Sequence, residues 1–119
     1  MIKIGKDTSS FSIYSYQPKN RKELKDLIDE RVVKEGSRCD LNDIDVSLVT
    51  DMSYLFYASG FNGNISKWDV SNVTNMNAMF AYSDFDQDIS KWKINSKCWA
   101  NDIFYRCRIR EEYKPKQKK

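Results

Sequence analysis

Laid against itself, the chain repeats every 24 residues, and a period in this range means stacked supersecondary units that cannot bury their apolar face alone. Val46, Ser47, Val49, Thr50, Met52 and Phe56 recur as Val70, Ser71, Val73, Thr74, Met76 and Phe80. Asp45, Ser59 and Phe61 return as Asp69, Ser83 and Phe85, which makes nine identities in one register. A third copy aligns Leu41, Ile65 and Ile89, then Ile44, Trp68 and Trp92, then Val46, Val70 and Ile94. Its second half diverges: Ile103 and Phe104 keep their slots, but Lys97, Cys98 and Ala100 replace Val, Thr and Met.

Within a unit the apolar spacing changes. Ile65–Val70 reads as a short extended segment, whereas Met76, Met79 and Phe80 fall at i, i+3, i+4, the mark of one helical face, with Thr74 and Thr50 at the N-cap position. Gly60 and Gly63, in the loop to the next unit, are expected to supply positive φ. The expected fold class is therefore an α/β repeat, a short solenoid of strand-turn-short-helix units. An N-terminal cap, 1–40, precedes it. Asn20 with Glu23 forms a capping box, Leu24, Leu27, Ile28 and Val32 share a face, and Gly36 stops the helix over 20–35. Phe11, Ile13, Tyr14 and Tyr16 suggest a short strand ended by Pro18. Two and a half repeats fill 41–105, and 106–119 form a basic tail.

The segment 61–80, Phe-Asn-Gly-Asn-Ile-Ser-Lys-Trp-Asp-Val-Ser-Asn-Val-Thr-Asn-Met-Asn-Ala-Met-Phe, closely resembles the leucine-rich-repeat-like units of the bacterial BspA-like surface protein family, also known from mycoplasma lipoprotein repeats. The stretch from Pro18 through the helix to Val46 and Ser47 is similar to the module that precedes such repeats. The resemblance implies a repeat scaffold that binds macromolecules, many members being displayed at the cell surface and linked to adhesion. Those members are long and carry secretion or anchoring signals. This chain, with about 14 kDa and no apolar leader, is expected instead to be a small cytoplasmic binder.

Several chemistries are excluded or disfavoured. Histidine is absent, which removes the commonest general base and metal ligand and every Ser/His or Cys/His nucleophile pair. Cys39, Cys98 and Cys107 are odd in number and lack CxxC spacing, so neither a disulfide framework nor a zinc site is expected. Asp84, Asp86 and Asp88 begin like a calcium loop, but Ile89 and Asn95 stand where that loop needs Gly and Glu. No catalytic motif, cofactor site or metal site is expected.

Binding candidates lie between the core positions. Asn42, Ser66 and Ser90 form one outer row, Asp43, Lys67 and Lys91 a second, and Asp45, Asp69 and Lys93 a third. Asp45 and Asp69 equally suit a structural role, accepting hydrogen bonds from the following turn. Tyr57, Tyr82 and Tyr105 are candidate contact residues, since tyrosine offers large area with few rotatable bonds. The tail carries Arg106, Arg108, Arg110, Lys114, Lys116, Lys118 and Lys119 against Glu111 and Glu112, while residues 1–105 hold 13 positive and 15 negative charges. It reads as a frayed terminus, an edge strand or an electrostatic site for nucleic acid, an anionic membrane or an acidic partner protein.

The function expected from these readings is a non-catalytic protein-binding module, an adaptor or an inhibitor of the kind mobile elements encode, acting by stoichiometric contact. A nucleic-acid-associated protein using the tail and a fragment of a surface adhesin are the alternatives.

Overall fold

The computed structural model describes residues 16–116. Lys118, Lys119 and the expected strand residues Phe11, Ile13 and Tyr14 lie outside that range. One α-helix, α1 (Arg21–Glu35), and one 3-10 turn (Glu111–Tyr113) are the regular elements among the described residues.

Helix α1 starts and stops for the local reasons its sequence carries. The Asn20 side chain accepts a hydrogen bond from the Glu23 amide at 2.9 Å, and Glu23 reaches back to accept from the Lys19 amide at 2.8 Å. At the other end Gly36 takes φ 98°, a left-handed value that costs glycine little, and its N–H donates to Val32. Leu24 and Ile28 are buried, with Leu27 and Val32 packed against the same core.

The strand-turn-short-helix unit does not form, and the solenoid of such units expected from the sequence is overturned. Pairing among the described residues consists of four isolated parallel bridges, Tyr16 with Ile44, Asp40 with Asn64, Asp51 with Asn75 and Asn75 with Trp99, and no strand. Where an extended segment was expected, the Trp68 amide donates to the Ile65 carbonyl at 3.2 Å and closes a turn. Ile44 to Leu41 and Trp92 to Ile89 do the same at 3.1 and 3.0 Å. Where a short helix was expected, consecutive turns stand instead. Met79 donates to Met76, Ala81 to Ala78 and Ser83 to Phe80, each an i to i+3 bond of 3.1–3.2 Å.

The cause is a competition for amides. A helix commits every N–H to its own preceding turn, but here alternate N–H groups leave the segment. Met52, Tyr54, Phe56 and Ala58 donate to Asn75, Asn77, Met79 and Ala81 at 2.8–3.0 Å. Met76, Ala78, Phe80 and Tyr82 donate in turn to Trp99, Asn101, Ile103 and Tyr105 at 2.6–3.0 Å. Turning alternate amides outward requires left-handed backbone at fixed slots. Tyr54, Ala78 and Asp102 have φ of 58°, 55° and 56°, and Ala58, Tyr82 and Arg106 have 53°, 60° and 54°. Each costs a non-glycine residue about 1–2 kcal/mol, offset by the bonds between layers. Thr74, expected to cap a helix, donates its N–H and hydroxyl to the Thr50 carbonyl of the preceding layer.

Gly60 and Gly63 do not supply the positive φ expected of them. Gly63 is needed for a close approach: a Cβ there would overlap the Cys39 carbonyl oxygen and the Phe61 ring.

The apolar positions of successive layers superpose into a common core. Phe56, Phe80 and Phe104 stack at 5.4 and 5.6 Å, and Phe61 and Phe85 at 6.2 Å. Val49, Val73, Met52, Met76, Leu55 and Met79 are at most 1% exposed. A fully buried side chain of this size contributes roughly 1.5–3 kcal/mol. Between the layers run short polar links: Asp86 N–H to Asn62, Arg110 N–H to Asp86 and Asn101 N–H to Asn77, at 2.8–3.0 Å. No helix among the described residues is long and apolar enough to cross a membrane.

Candidate functional site

The layering brings together three side chains that are far apart in sequence. The Tyr57 and Tyr82 rings lie 5.6 Å apart at 74°, and the Tyr82 and Tyr105 rings 5.5 Å apart at 82°. Both are edge-to-face geometries, the favourable arrangement of two ring quadrupoles. Tyr54, which sequence reasoning did not single out, extends the file at 5.3 Å from Tyr57, and the Arg106 guanidinium lies over the Tyr105 ring at 5.5 Å. Each of the four tyrosines is about half exposed, between 46% and 52%. The backbone beneath them is bonded from layer to layer, with the Tyr54, Ala58 and Tyr82 amides donating to Asn77, Ala81 and Tyr105 at 2.8–3.0 Å.

The polar rows are placed differently. Asp43 is taken up by α1, since Arg31 donates to both its carboxylate oxygens at 3.0 Å and also reaches Glu35 and the Asp40 carbonyl. The Arg31 side chain is only 13% exposed, so this link fixes the helix to the first layer. Asp45 and Asp69 each accept the amide two residues on, from Ser47 at 2.9 Å and Ser71 at 3.1 Å, the turn-closing geometry of a short acidic side chain. For Asp45, burial pushes the carboxyl up, but hydrogen bonds from Ser47 and Gln17 outweigh it and leave it below the usual range.

Ser66 and Ser90 are half-buried and donate their amides to Asn64 and Asp88. Lys67, Lys91 and Lys93 are exposed and have no ion pair among the described residues. The Lys67 amide donates to the Asn42 side chain at 2.9 Å, which sets Lys67 beside the first-layer residue that precedes Asp43.

Of the basic segment, Arg108 faces Asp84 at 3.4 Å and Arg110 faces Asp86 at 2.9 Å. The Arg110 hydrogen bonds hold the Asp86 carboxyl below its ordinary value. Arg110 also lies over the Tyr113 ring and Lys114 over the Phe104 ring, at 4.6 and 5.4 Å, and Lys114 pairs with Glu111 at 3.2 Å. Lys116 is exposed, and Ile109 is buried among the core residues.

Cys39, Cys98 and Cys107 are free thiols, and burial pushes the thiols of Cys39 and Cys98 up. Cys107 takes the slot of Ser59 and Ser83, its sulfur 3.4 Å from the Ser83 hydroxyl. No group of three or more His, Cys, Asp or Glu that could hold a metal occurs among the described residues.

Sequence reasoning also missed Trp99, which is 66% exposed. Its slot is Asp51 and Asn75 in the earlier layers, so a large aromatic in a polar row was the available signal.

The model of a family described as Mycoplasma protein of unknown function, DUF285, matches residues 22–113. The chain belongs to that family. The DUF285 match runs from α1 through all the stacked layers to the 3-10 turn, so helix and layers form one family unit. Neither the curated proteins nor the solved structures contain a match to this DUF285 chain.

Proposed function

We propose that this chain is a non-catalytic protein-binding module that works by stoichiometric contact, as an adaptor or an inhibitor, with the tyrosine file as its main contact surface. The observation that carries the reading is the contiguity of Tyr57, Tyr82 and Tyr105, ring against ring and half-exposed on a cross-bonded backbone. Tyrosine is enriched among the residues that dominate interface energy, and a surface fixed in advance loses little entropy on binding. Lys67, Lys91 and Lys93 are exposed cations available to steer an acidic partner.

Three free thiols, one of them buried, support a reducing compartment, and the proposed site of action is the cytoplasm. Within the family we read the chain as kin to the BspA-like proteins, on the strength of the Trp-Asp-Val-Ser-Asn-Val-Thr core at 68–74. The nucleic-acid reading is weakened by the engagement of Arg108 and Arg110 with Asp84 and Asp86.

The test is affinity capture from cell lysate with the intact chain and with a Tyr57→Ser, Tyr82→Ser, Tyr105→Ser variant of matched urea midpoint. A partner retained at high salt and after nuclease, and lost from the triple variant, is the expected result. Equal recovery by both chains, or loss on nuclease treatment alone, contradicts the proposal.

A further inference from the structure

Along 52–58 and 76–82 the bonding between layers has a direction, and the third layer breaks it off. Four alternate amides of the first layer, and their counterparts in the second, donate to carbonyls of the layer that follows. The equivalent amides of the third layer are those of Ala100, Asp102, Phe104 and Arg106, and none of them has an acceptor among the described residues. Asp102 and Arg106 keep the left-handed φ that turns such amides outward, 56° and 54°. The result is an edge of donors.

A second copy of the chain does not complete it. The complementary carbonyl row is that of the first layer, and there α1 is in the way, with the Arg21 Nε donating to the Ser53 carbonyl at 2.6 Å. Two such edges set face to face would oppose donor to donor. Lys97 and Arg106, toward the two ends of the row, are exposed and have no ion-pair partner among the described residues, while Asp102 lies between them. Trp99 stands beside the first donor with 66% of its surface in solvent, and Phe104 is half-buried where Phe56 and Phe80 are fully buried.

We propose that the edge 98–106 is a docking site for the backbone of another protein, a segment that follows the same turned course as a layer, with an apolar centre and acidic side chains at both ends, and that lies alongside it and supplies carbonyl acceptors. Addition of a chain to an exposed backbone edge draws affinity from main-chain bonds and specificity from alternate side chains. Here the acids meet Lys97 and Arg106, and the apolar centre meets Phe104. The proposal deepens the protein-binding reading, on which it rests, and names the chemistry of the partner segment.

The probe is a labelled synthetic peptide copying residues 49–59 with Ala58→Glu, which carries the first-layer carbonyl row free of α1 and an acid near each end. Titrated against the full chain, it is expected to bind saturably at one site. Binding should protect the amides of residues 100, 102, 104 and 106 from hydrogen exchange and weaken at least about tenfold in Ala100→Pro, which removes one donor. Lys97→Glu with Arg106→Glu should weaken it as well, a readout that does not depend on how Ala100→Pro folds. No saturable binding, or protection confined to other amides, overturns the proposal. A Tyr57→Ser, Tyr82→Ser variant, which leaves the edge 98–106 intact, separates the two readings, since it should bind the peptide as the parent does while losing the captured partner.

Discussion

Trp68 and Trp92 stack with ring centroids 6.4 Å apart and planes 7° apart, and each indole N–H donates at 3.0 Å to the carbonyl 27 residues before it, Leu41 for Trp68 and Ile65 for Trp92. The same bond in two layers makes tryptophan the residue that ties each turn to the one before. Trp68→Phe keeps most of the apolar area but removes one of the two donors to the Leu41 carbonyl, the Ile44 amide remaining, so it should cost about 0.5–1.5 kcal/mol. Urea unfolding of the two chains measures this, and an unchanged midpoint would show that the indole bond contributes nothing.

Backbone conformation leads to two substitutions of opposite sign. Ala58 is exposed and sits at φ 53°, so Ala58→Gly should relieve left-handed strain and stabilise the chain by about 1 kcal/mol. Gly63→Ala should do the reverse, by about 3 kcal/mol or more, because the new Cβ meets the Cys39 carbonyl and the Phe61 ring. Thermal and urea midpoints of both variants check the pair.

The link between Arg31 and Asp43 predicts a loss concentrated at the helix. Asp43→Asn removes a charge from a pair whose arginine is largely buried, and should lower stability by about 1–2 kcal/mol. Hydrogen exchange should show α1 amides, and not those of the second and third layers, exchanging faster.

Acid and alkali should each destabilise the fold through different groups. Asp86, held low by hydrogen bonds from Arg110, and Asp88, held low by Ser90, have folded values below their unfolded ones. Their contribution is present above the unfolded carboxyl value of about 3.9 and is lost as pH falls through the lower folded values. Asp86→Asn should therefore shallow the fall in stability below about pH 4. Burial raises the Cys39 and Cys98 thiols, so their contribution is present below the unfolded thiol value of about 8.5 and is lost as pH rises toward the folded values. Urea midpoints across pH for the parent, Asp86→Asn and Cys98→Ser test both limbs.

What could be read in the sequence divides along physical lines. The period and the inward residues were legible, because identical apolar slots recur whenever equivalent turns stack, as Val49 and Val73 or Phe56 and Phe80 do. The cap helix was legible from Asn20, Glu23 and Gly36, whose effects are local. The internal conformation of each layer was not. Met76, Met79 and Phe80 share one side of a helix, but the same spacing serves consecutive i to i+3 turns, and of the residues at the left-handed slots tyrosine, alanine and arginine carry no signal for positive φ, Asp102 alone being of a type that favours it.

The tyrosines could be named one by one, yet their contact could not be foreseen. Tyr82 holds the slot of Ala58, while Tyr57 and Tyr105 hold that of Ala81, so the file zigzags between neighbouring slots and vanishes from a strict self-alignment. The Arg31 pair with Asp43 depends on how α1 crosses the first layer, a tertiary fact that no local pattern encodes.

Binding of one protein partner through the tyrosine file is read out by calorimetric titration of the captured partner at low and high salt. The expected result is a one-to-one complex whose affinity changes little with salt and falls at least about a hundredfold in the Tyr57→Ser, Tyr82→Ser, Tyr105→Ser variant. Binding that the triple variant retains in full, or that collapses with salt in both chains, would contradict it.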